Sequence, residues 1–406
     1  MVTGGTEWTP AELSRLHTAW VAALEEELEQ AVALRHRIHA EPYVSGAETP
    51  TTEVVVEALD LGPGRVTAGT GRVLRLGPPG PAVAVRAELD ALPIEESTGA
   101  AYAATNGAMH ACGHDVHLAA LTALVRSGQA LLRDGSDLPA GLVAVLQPRE
   151  EVGLTGAPDV LADGVLPAED VRAIVGAHVQ PQVDAGHVSC DEGPVNAAVD
   201  EVEVTVTGKG GHGAYPHLTH DPVPALCRIV LSMQDAVRSA VDPLHPAVVS
   251  MTQLLASDAP NVIPGVARAA GTVRTMRPVD AERLHDRIRS LVEDIASGHG
   301  CTGAYLIRRG EPALDNDEAM AGAARQWLAT SGLPTQRFVS CGSDDFATYG
   351  TQFPILMMFV GTGSGPGSPM LHDATFLPSD GTVRQTATAM LAGYLAGVET
   401  QVLRQA

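Results

Sequence analysis

The sequence predicts an α/β fold in which a domain with a mostly parallel central sheet flanked by helices is interrupted by an inserted ferredoxin-like α+β domain. Short apolar runs alternate with helical periodicity over 1–193 and again over 309–406, which is typical of a parallel sheet covered by helices. At Glu201–Val206 the pattern becomes strictly alternating, as in a half-exposed strand. We therefore expect one discontinuous domain, 1–193 with 309–406, and an insert at 194–308.

Helical spacing of apolar residues predicts helices over Pro10–Ile38 and Thr51–Leu59. Two short strands are then expected, Val73–Leu76 and Ala82–Ala87, separated by the turn Gly77–Gly80. The second of these strands leads directly into a polar segment that contains Asp90.

A third helix is expected over His117–Leu132, followed by buried strands at Gly141–Leu146 and Ala173–Ala177. In parallel sheets, ligands bind just beyond the carboxyl ends of the strands. Four polar residues follow predicted strand ends in this domain: Asp90, Glu150, Glu151 and His178. The sequence therefore predicts a polar site at this edge of the sheet.

The insert has the order β-α-β-β-α-β, which is the ferredoxin-like split unit, and we interpret it as a lid. Its first helix has Asp221 at the N-cap and Pro222 at the first helical position. The predicted elements are strands Glu201–Val206, Ala247–Leu254, Ala267–Thr275 and Gly303–Arg308, and helices Pro222–Ser239 and Asp280–Ser297. In 309–406, the second part of the discontinuous domain, the predicted elements are helix Asp317–Ser331, strand Ile355–Val360 and helix Thr382–Leu403.

The segment Met109–His117 concentrates a thiol, three imidazoles and a carboxylate in nine positions. Cys thiolate and neutral His are the ligands that zinc and its first-row neighbours accept. The Cys112-Gly113-His114 spacing can direct both donors toward one point, because Gly113 supplies backbone freedom. The alternative is a chance grouping of buried thiol and core histidines. A second polar cluster at Gln147–Glu151 favours the metal site.

Glu150 and Glu151 are adjacent carboxylates that follow a buried strand. One can bind a metal while its neighbour takes a proton from water, as metal-assisted amide hydrolysis requires. A solvated acidic pair is the alternative reading, and the position after a buried strand favours the catalytic one.

The formal charge of −22, from 26 basic and 48 acidic residues, argues against binding to nucleic acid or anionic membranes, because the sequence has no basic stripe to offset phosphates. No apolar run approaches the roughly 20 residues of a membrane span. The five cysteines are scattered, and the first thirty residues lack the basic-then-apolar order of an export signal. We therefore expect a cytoplasmic protein.

Several motifs, taken together and in order, resemble the M20 metallopeptidases, in the branch of aminoacylases, hippurate hydrolases and auxin-conjugate hydrolases. These motifs are Arg86–Pro93, Met109–Asp115, Gln147–Glu151, Gly176–His178, Gly208–His212, Asn261–Pro264, Gly271–Thr275 and Leu371–His372. The sequence departs from the usual pattern at Arg149, where relatives usually have a small residue, and Arg149 could alter the pKa of the neighbouring base or point outward.

The resemblance implies a role for each matching residue. Two divalent metal ions would be held by Cys112, His114, Glu151, His178 and His372, with Glu150 as general base. From the insert, His212 would be catalytic and Asn261 and Arg274 would bind substrate, with His212 and Asn261 completing the site of a neighbouring subunit. It also implies a homodimer formed through this lid. His110, His117 and Asp90 are instead expected to pack around or orient the ligands.

The function predicted on this basis is hydrolysis of the amide bond of an N-acyl amino acid by water. A dipeptidase or carboxypeptidase is one alternative, and a metal-binding scaffold without catalysis is another. Zinc or manganese is expected, and cobalt or nickel fits a similar ligand set.

Overall fold

The computed structural model describes residues 8–153 and 155–404, so residues 1–7 and 405–406 of the predicted catalytic domain lie outside the described part. The chain divides into two compact units. Unit 1 is the chain up to Gly193, Asp315–Val339 and the chain from Asp345 onward, and unit 2 is Pro194–Leu314 with Ser340–Asp344. Residues 309–314, which the sequence assigned to the catalytic domain, fall in unit 2 because the Val199 N–H donates to the carbonyl of Glu311 at 3.0 Å.

Helices occupy much of unit 1 and two long stretches of unit 2. In the described residues the α-helices are α1 (Pro10–Ala40), α2 (Thr49–Leu59), α3 (His114–Arg133), α4 (Gly156–Ala162), α5 (Val165–Ala168), α6 (Pro222–Ala240), α7 (Pro278–Gly298), α8 (Glu318–Thr330) and α9 (Gly381–Gly397). Short 3-10 helices span Pro216–Leu218 and Asp345–Thr351, and a π-helical turn spans Val398–Val402.

The strands in the same described part of the chain are β1 (Arg65–Thr67), β2 (Gly71–Leu76), β3 (Ala82–Glu88), β4 (Gly141–Gln147), β5 (Val171–Asp184), β6 (Val188–Ser189), β7 (Gly193–Asn196), β8 (Ala198–Thr207), β9 (Gly211–His212), β10 (Ala247–Leu255), β11 (Val262–Ile263), β12 (Val266–Thr275), β13 (Thr302–Arg309), β14 (Leu314–Asn316) and β15 (Ile355–Gly363).

The core of unit 1 is a mixed sheet in the order β1-β2-β4-β3-β5-β15-β6. Its four central strands, β4, β3, β5 and β15, run parallel. Strands β2 and β6 pair antiparallel to this central group, and β1 pairs antiparallel to β2. Every side chain of β3 and β4 is buried, as expected for strands covered on both faces. Helices α1, α3 and α9 pack against one another, and α9 also packs on β5 and β15. The predicted α/β class is therefore confirmed.

Unit 2 is built around an antiparallel sheet in the order β10-β12-β8-β13, on which α6 and α7 pack. The chain order β8-α6-β10-β12-α7-β13 confirms the predicted ferredoxin-like split unit. Helix α6 begins as expected, because the side chain of Asp221 accepts the backbone N–H of Val223 and Pro222 follows it.

Two predicted boundaries near the site are wrong. Helix α3 begins at His114, three residues before the expected start at His117, because Gly113 turns the backbone at φ 79° and the helix follows at once. Strand β5 does not end at His178 but runs on to Asp184, because β15 continues to pair with it through Gly363. In the described residues no helix is long and apolar enough to span a membrane.

Candidate metal centre

The turn at Gly113 separates Cys112 from His114, the first residue of α3. Gly113 has φ 79° and a side chain there would meet Val179 Cγ2 at 2.4 Å. Only glycine therefore fits this turn without a shift of its neighbours. The side chains of Cys112 and His114 are both buried.

His114 is held by the backbone of the segment that follows β3. Its Nδ1 lies 2.8 Å from the carbonyl oxygen of Asp90, which can only accept, so Nδ1 carries the proton in the neutral ring. The remaining Nε2 is buried and has no hydrogen-bond partner among the described residues. A bare, buried imidazole nitrogen is the atom that a metal ion would use.

His178 is arranged in the same way within β5. Its Nδ1 donates to the carbonyl of Val179 at 2.7 Å, and its Nε2 lies 3.5 Å from Cys112 Sγ. Burial lowers the pKa of His178 to about 3, so the ring is neutral near pH 7. In the neutral form of each ring, both His114 and His178 present an unprotonated Nε2.

The two predicted carboxylates lie in the turn after β4. The Glu151 N–H donates to Asp90 Oδ2 at 3.0 Å, and Glu151 Oε1 lies 3.3 Å from His372 Nε2. Glu150 Oε2 lies 3.8 Å from His114 Nε2. Burial alone would raise the pKa of Glu151, but the bond from His372 and the charge of His114 lower it.

His372 comes from the loop after β15, where it has φ 66°. This left-handed conformation is uncommon for a residue with a side chain. Its backbone N–H donates to the carbonyl of Ala111 at 2.9 Å, which ties the loop to the Cys112 turn. The side chain is half exposed.

Unit 1 therefore brings together all six of the residues that the sequence predicted for it. Cys112, Glu151 and His372 have ligand atoms within 4.8 Å of one another, as do His114, Glu150 and Glu151. Because Glu151 belongs to both groups, the two groups of ligand atoms form one cluster.

The electrostatics of this cluster fit a bound cation. Burial raises the pKa of the Cys112 thiol well above its usual range, and Glu151, Glu150 and Glu88 raise it further. Burial would lower the pKa of His114, but Glu88 and neighbouring carboxylates raise it. A divalent ion would offset this negative potential, and the mixture of thiolate, imidazole and carboxylate suits zinc or its neighbours.

The sequence missed Glu88, the last residue of β3. It is buried, ion-paired with Arg86, and accepts a hydrogen bond from His117 Nδ1 at 2.8 Å. Glu88, His114, His117 and His178 also have ligand atoms within 4.8 Å of one another. Two charged residues in an otherwise apolar strand were the available signal. Asp90 orients both His114 and Glu151, as expected of a supporting residue.

The guanidinium of Arg149 makes its contacts away from Glu150, the predicted general base. Its guanidinium donates to the carbonyl of Ala68 at 2.9 Å and is ion-paired with Asp159. Its backbone has φ 55°, a left-handed conformation that glycine adopts most readily. The sequence left open whether Arg149 alters the pKa of Glu150 or points outward, and these contacts favour the outward orientation.

The remaining predicted residues lie in unit 2. His212 on β9 pairs with Val262 on β11, and the neighbouring Gly213 N–H donates to the carbonyl of Asn261 at 2.9 Å, so His212 and Asn261 share one small ribbon. Arg274 lies on β12, where its Nη1 donates to the carbonyl of Cys341 at 2.9 Å.

The fold and the donor cluster define a metal-binding α/β protein with a ferredoxin-like insert. Residues 84–393 match peptidase family M20/M25/M40. N-acetylcysteine deacetylase of Bacillus subtilis (strain 168) is 32% identical over 382 residues, which are 92% of this chain and 96% of the relative. The chain therefore belongs to the M20 family, as its motifs indicated.

Two other relatives agree with this assignment. An N-acyl-L-amino acid amidohydrolase of Geobacillus stearothermophilus is 34% identical, with coverage of 76% of this chain and 82% of the relative. The crystal structure of a dinuclear metal binding peptidase from the M20 family of Bacillus subtilis superposes with a TM-score of 0.79 at 29% identity, and covers 93% of this chain and 99% of that one.

Proposed function

We propose that the protein is a metal-dependent amidohydrolase that releases the acyl group from the nitrogen of an N-acyl amino acid. The observation that carries this proposal is the position of Glu150, whose carboxylate lies 3.8 Å from the bare Nε2 of His114 and beside the candidate ligand Glu151. Family membership and the names of the relatives, a deacetylase of N-acetylcysteine and an N-acyl-amino-acid amidohydrolase, support the same reaction.

Two divalent ions, zinc or manganese, would be held by Cys112, His114, Glu151, His178 and His372. When bound, such ions polarise the amide carbonyl and lower the pKa of water. Glu150 is then the proton carrier: it removes a proton from the attacking water and returns it to the leaving nitrogen. Its side chain is only 11% exposed, so bulk solvent competes weakly for that proton.

His212 is the proposed donor to the oxyanion that forms as the amide is attacked. Its Nδ1 accepts the N–H of Ala214 at 3.0 Å, so the ring proton of the neutral form is on Nε2 and available to donate. The guanidinium of Arg274 suits the carboxylate of the amino-acid product, and Asn261 supplies a neutral amide.

The protein would act as a homodimer formed through unit 2, in which His212 and Asn261 serve the neighbouring subunit. Strand β10 supports this arrangement, because it is an edge strand of its sheet and exposes Leu254 and Leu255. An unpaired edge with exposed leucines favours association with a second copy. A reducing cytoplasmic location suits the free thiol of Cys112.

A substrate panel tests the function directly. Protein with its metal content measured would be given N-acetyl and N-benzoyl amino acids alongside dipeptides, with products identified by mass spectrometry. We expect release of free amino acid from the N-acyl compounds, and loss of turnover after chelation that returns on adding zinc or manganese. Turnover of the dipeptides alone would make the protein a dipeptidase, and no turnover by the metal-loaded protein would support the scaffold.

A further inference from the structure

His117 lies beside the candidate ligands, but both of its ring nitrogens are already engaged. Its Nε2 accepts the backbone N–H of Val179 at 3.0 Å. Because a backbone N–H can only donate, Nε2 must be unprotonated and the ring proton lies on Nδ1. That proton is donated to Glu88 Oε2 at 2.8 Å. His117 is thus a neutral imidazole with one fixed tautomer, and a metal ion at either nitrogen would have to break one of these bonds.

Glu88 is in turn fixed by an ionic network. Arg86 is ion-paired with Glu88, and Arg86 Nη2 donates to Asp345 Oδ1 at 2.8 Å. Asp345 also accepts two hydrogen bonds from Gln147, at 2.8 Å. Burial would raise the pKa of Glu88, but Arg86 holds it well below the usual range. The carboxylate is therefore a charged acceptor in a fixed place.

The Nε2 atom of His117 is hydrogen-bonded to the peptide that follows His178. The N–H of that peptide bonds to His117, and the carbonyl of Val179 accepts the proton of His178 Nδ1 at 2.7 Å. The rings of His117 and His178 also contact edge to face, with centroids 4.6 Å apart. His117 thus contacts both the peptide that follows His178 and the ring of His178, whose Nε2 lies 3.5 Å from Cys112 Sγ.

We propose that His117, oriented by Glu88, is a positioning residue that holds His178 in its ligand geometry, and that its bond to the Val179 N–H transmits this effect. The inference rests on the proposed function only in taking His178 as a metal ligand. Loss of a residue that orients a ligand commonly weakens metal binding about 10–100-fold.

Zinc affinity, measured by competition with a chromophoric chelator, tests the inference without any substrate. His117→Gln keeps an acceptor near the former Nε2, whereas His117→Asn keeps only a donor toward Glu88. We expect His117→Asn and His117→Phe to weaken zinc binding about 10–100-fold and to alter the visible spectrum of bound cobalt, and His117→Gln to retain most of the affinity. Should His117→Phe fail to fold, the Asn and Gln variants decide alone, and equal affinities for the two would overturn the inference.

A matched control and a double variant separate positioning from general destabilisation. His285 of unit 2 is likewise buried and bonded at both nitrogens, to Tyr305 and Asp200 at 2.7 Å, so His285→Phe should lower stability without changing zinc affinity. In a His178→Ala background, the His117 substitutions should cause no further loss of affinity. The same loss with and without His178 would show that His117 does not act through it. These affinities are independent of turnover, so the proposed function can fail while this pattern holds.

Discussion

At the residue scale, the bond made by one ring nitrogen decides what the other nitrogen can do. His114 and His178 each donate from Nδ1 to a backbone carbonyl, which leaves Nε2 as a lone-pair donor. His117 uses Nδ1 for Glu88 and Nε2 for a backbone N–H. Three buried histidines of one cluster therefore divide into two candidate ligands and one supporting residue.

Cys112→Ala should lower the metal content of the purified protein. Removal of the thiolate leaves the ion with an incomplete set of donors, so the ion binds less tightly. Where the ion is lost, the charges of Glu151 and the neighbouring carboxylates are no longer compensated. Elemental analysis measures the change, and Cys190→Ala is a suitable control, because Cys190 is also buried in unit 1 but bonds only weakly to the carbonyl of Ala321, at 3.6 Å. Full metal content in the Cys112 variant would make its thiol a packing group.

His110 should make the metal-free protein sensitive to acid. Burial lowers the pKa of His110 from 6.5 to about 3. Below about pH 6.5 the unfolded chain binds a proton at His110, whereas the folded chain does not. Protonation therefore favours the unfolded chain, and the stability that neutral His110 contributes is lost as the pH falls toward about 3. We expect the free energy of unfolding in urea to fall less steeply with decreasing pH in His110→Phe than in the unsubstituted protein. Parallel curves would contradict this assignment.

At the element scale, the turn after β4 positions both predicted carboxylates through backbone bonds. Glu48 is fully buried and accepts the Arg149 N–H at 3.0 Å, and Asp90 accepts the Glu151 N–H at the same distance. Neither contact has a local sequence signature, because each joins segments more than fifty residues apart in the chain.

Substitutions of Arg149 test whether the backbone of this turn is held in its left-handed conformation. Its φ of 55° costs a residue with a side chain about 1–2 kcal/mol relative to glycine, while its guanidinium clamps Ala68 and Asp159. Both Arg149→Ala and Arg149→Gly lose the contacts with Ala68 and Asp159, but the left-handed conformation is unfavourable only for alanine. We therefore expect the Gly variant to be the more stable of the two by about 1 kcal/mol in urea unfolding. Equal stabilities would show that the turn relaxes to another conformation.

The elements that periodicity could predict were those with a long, uniform pattern. Helix α1 and strands β3 and β4 lie within a few residues of their predicted bounds, because apolar side chains repeat along their whole length. The start of α3 was missed, since the αL turn at Gly113 depends on the close approach of Val179. The role of Glu88 was also out of reach. His117 was expected to pack around or orient the ligands, but its bonding partners could not be predicted, because the tautomer of a ring depends on partners from other strands.

At the scale of the whole molecule, the resemblance of several motifs predicted more than any single element could. It indicated the family and the fold class, both of which are confirmed. It also named six residues in unit 1 that the fold gathers within one cluster. Their catalytic and ligand roles remain predictions, as do those of His212, Asn261 and Arg274.

Complementation tests the proposed sharing of His212 between subunits. Homodimers of His212→Ala and of Glu150→Gln should each be inactive. In a mixed dimer one site would receive both intact residues, so random exchange should restore about a quarter of the sites. Mass spectrometry would verify exchange. If mixed dimers form and no activity returns, His212 acts within its own chain or has no catalytic role.

We propose that Glu150 moves the proton while its neighbour Glu151 holds the metal, and a paired substitution distinguishes the two roles. Metal content and turnover of an N-acetyl amino acid would be measured on the same preparations of Glu150→Gln and Glu151→Gln. We predict that Glu150→Gln keeps its metal and loses about 10²–10⁴-fold in rate, because the amide preserves shape but cannot accept the proton, and that Glu151→Gln loses metal. A Glu150 variant that loses its metal, beside a Glu151 variant that keeps it without turnover, would contradict the assignment and exchange the two roles.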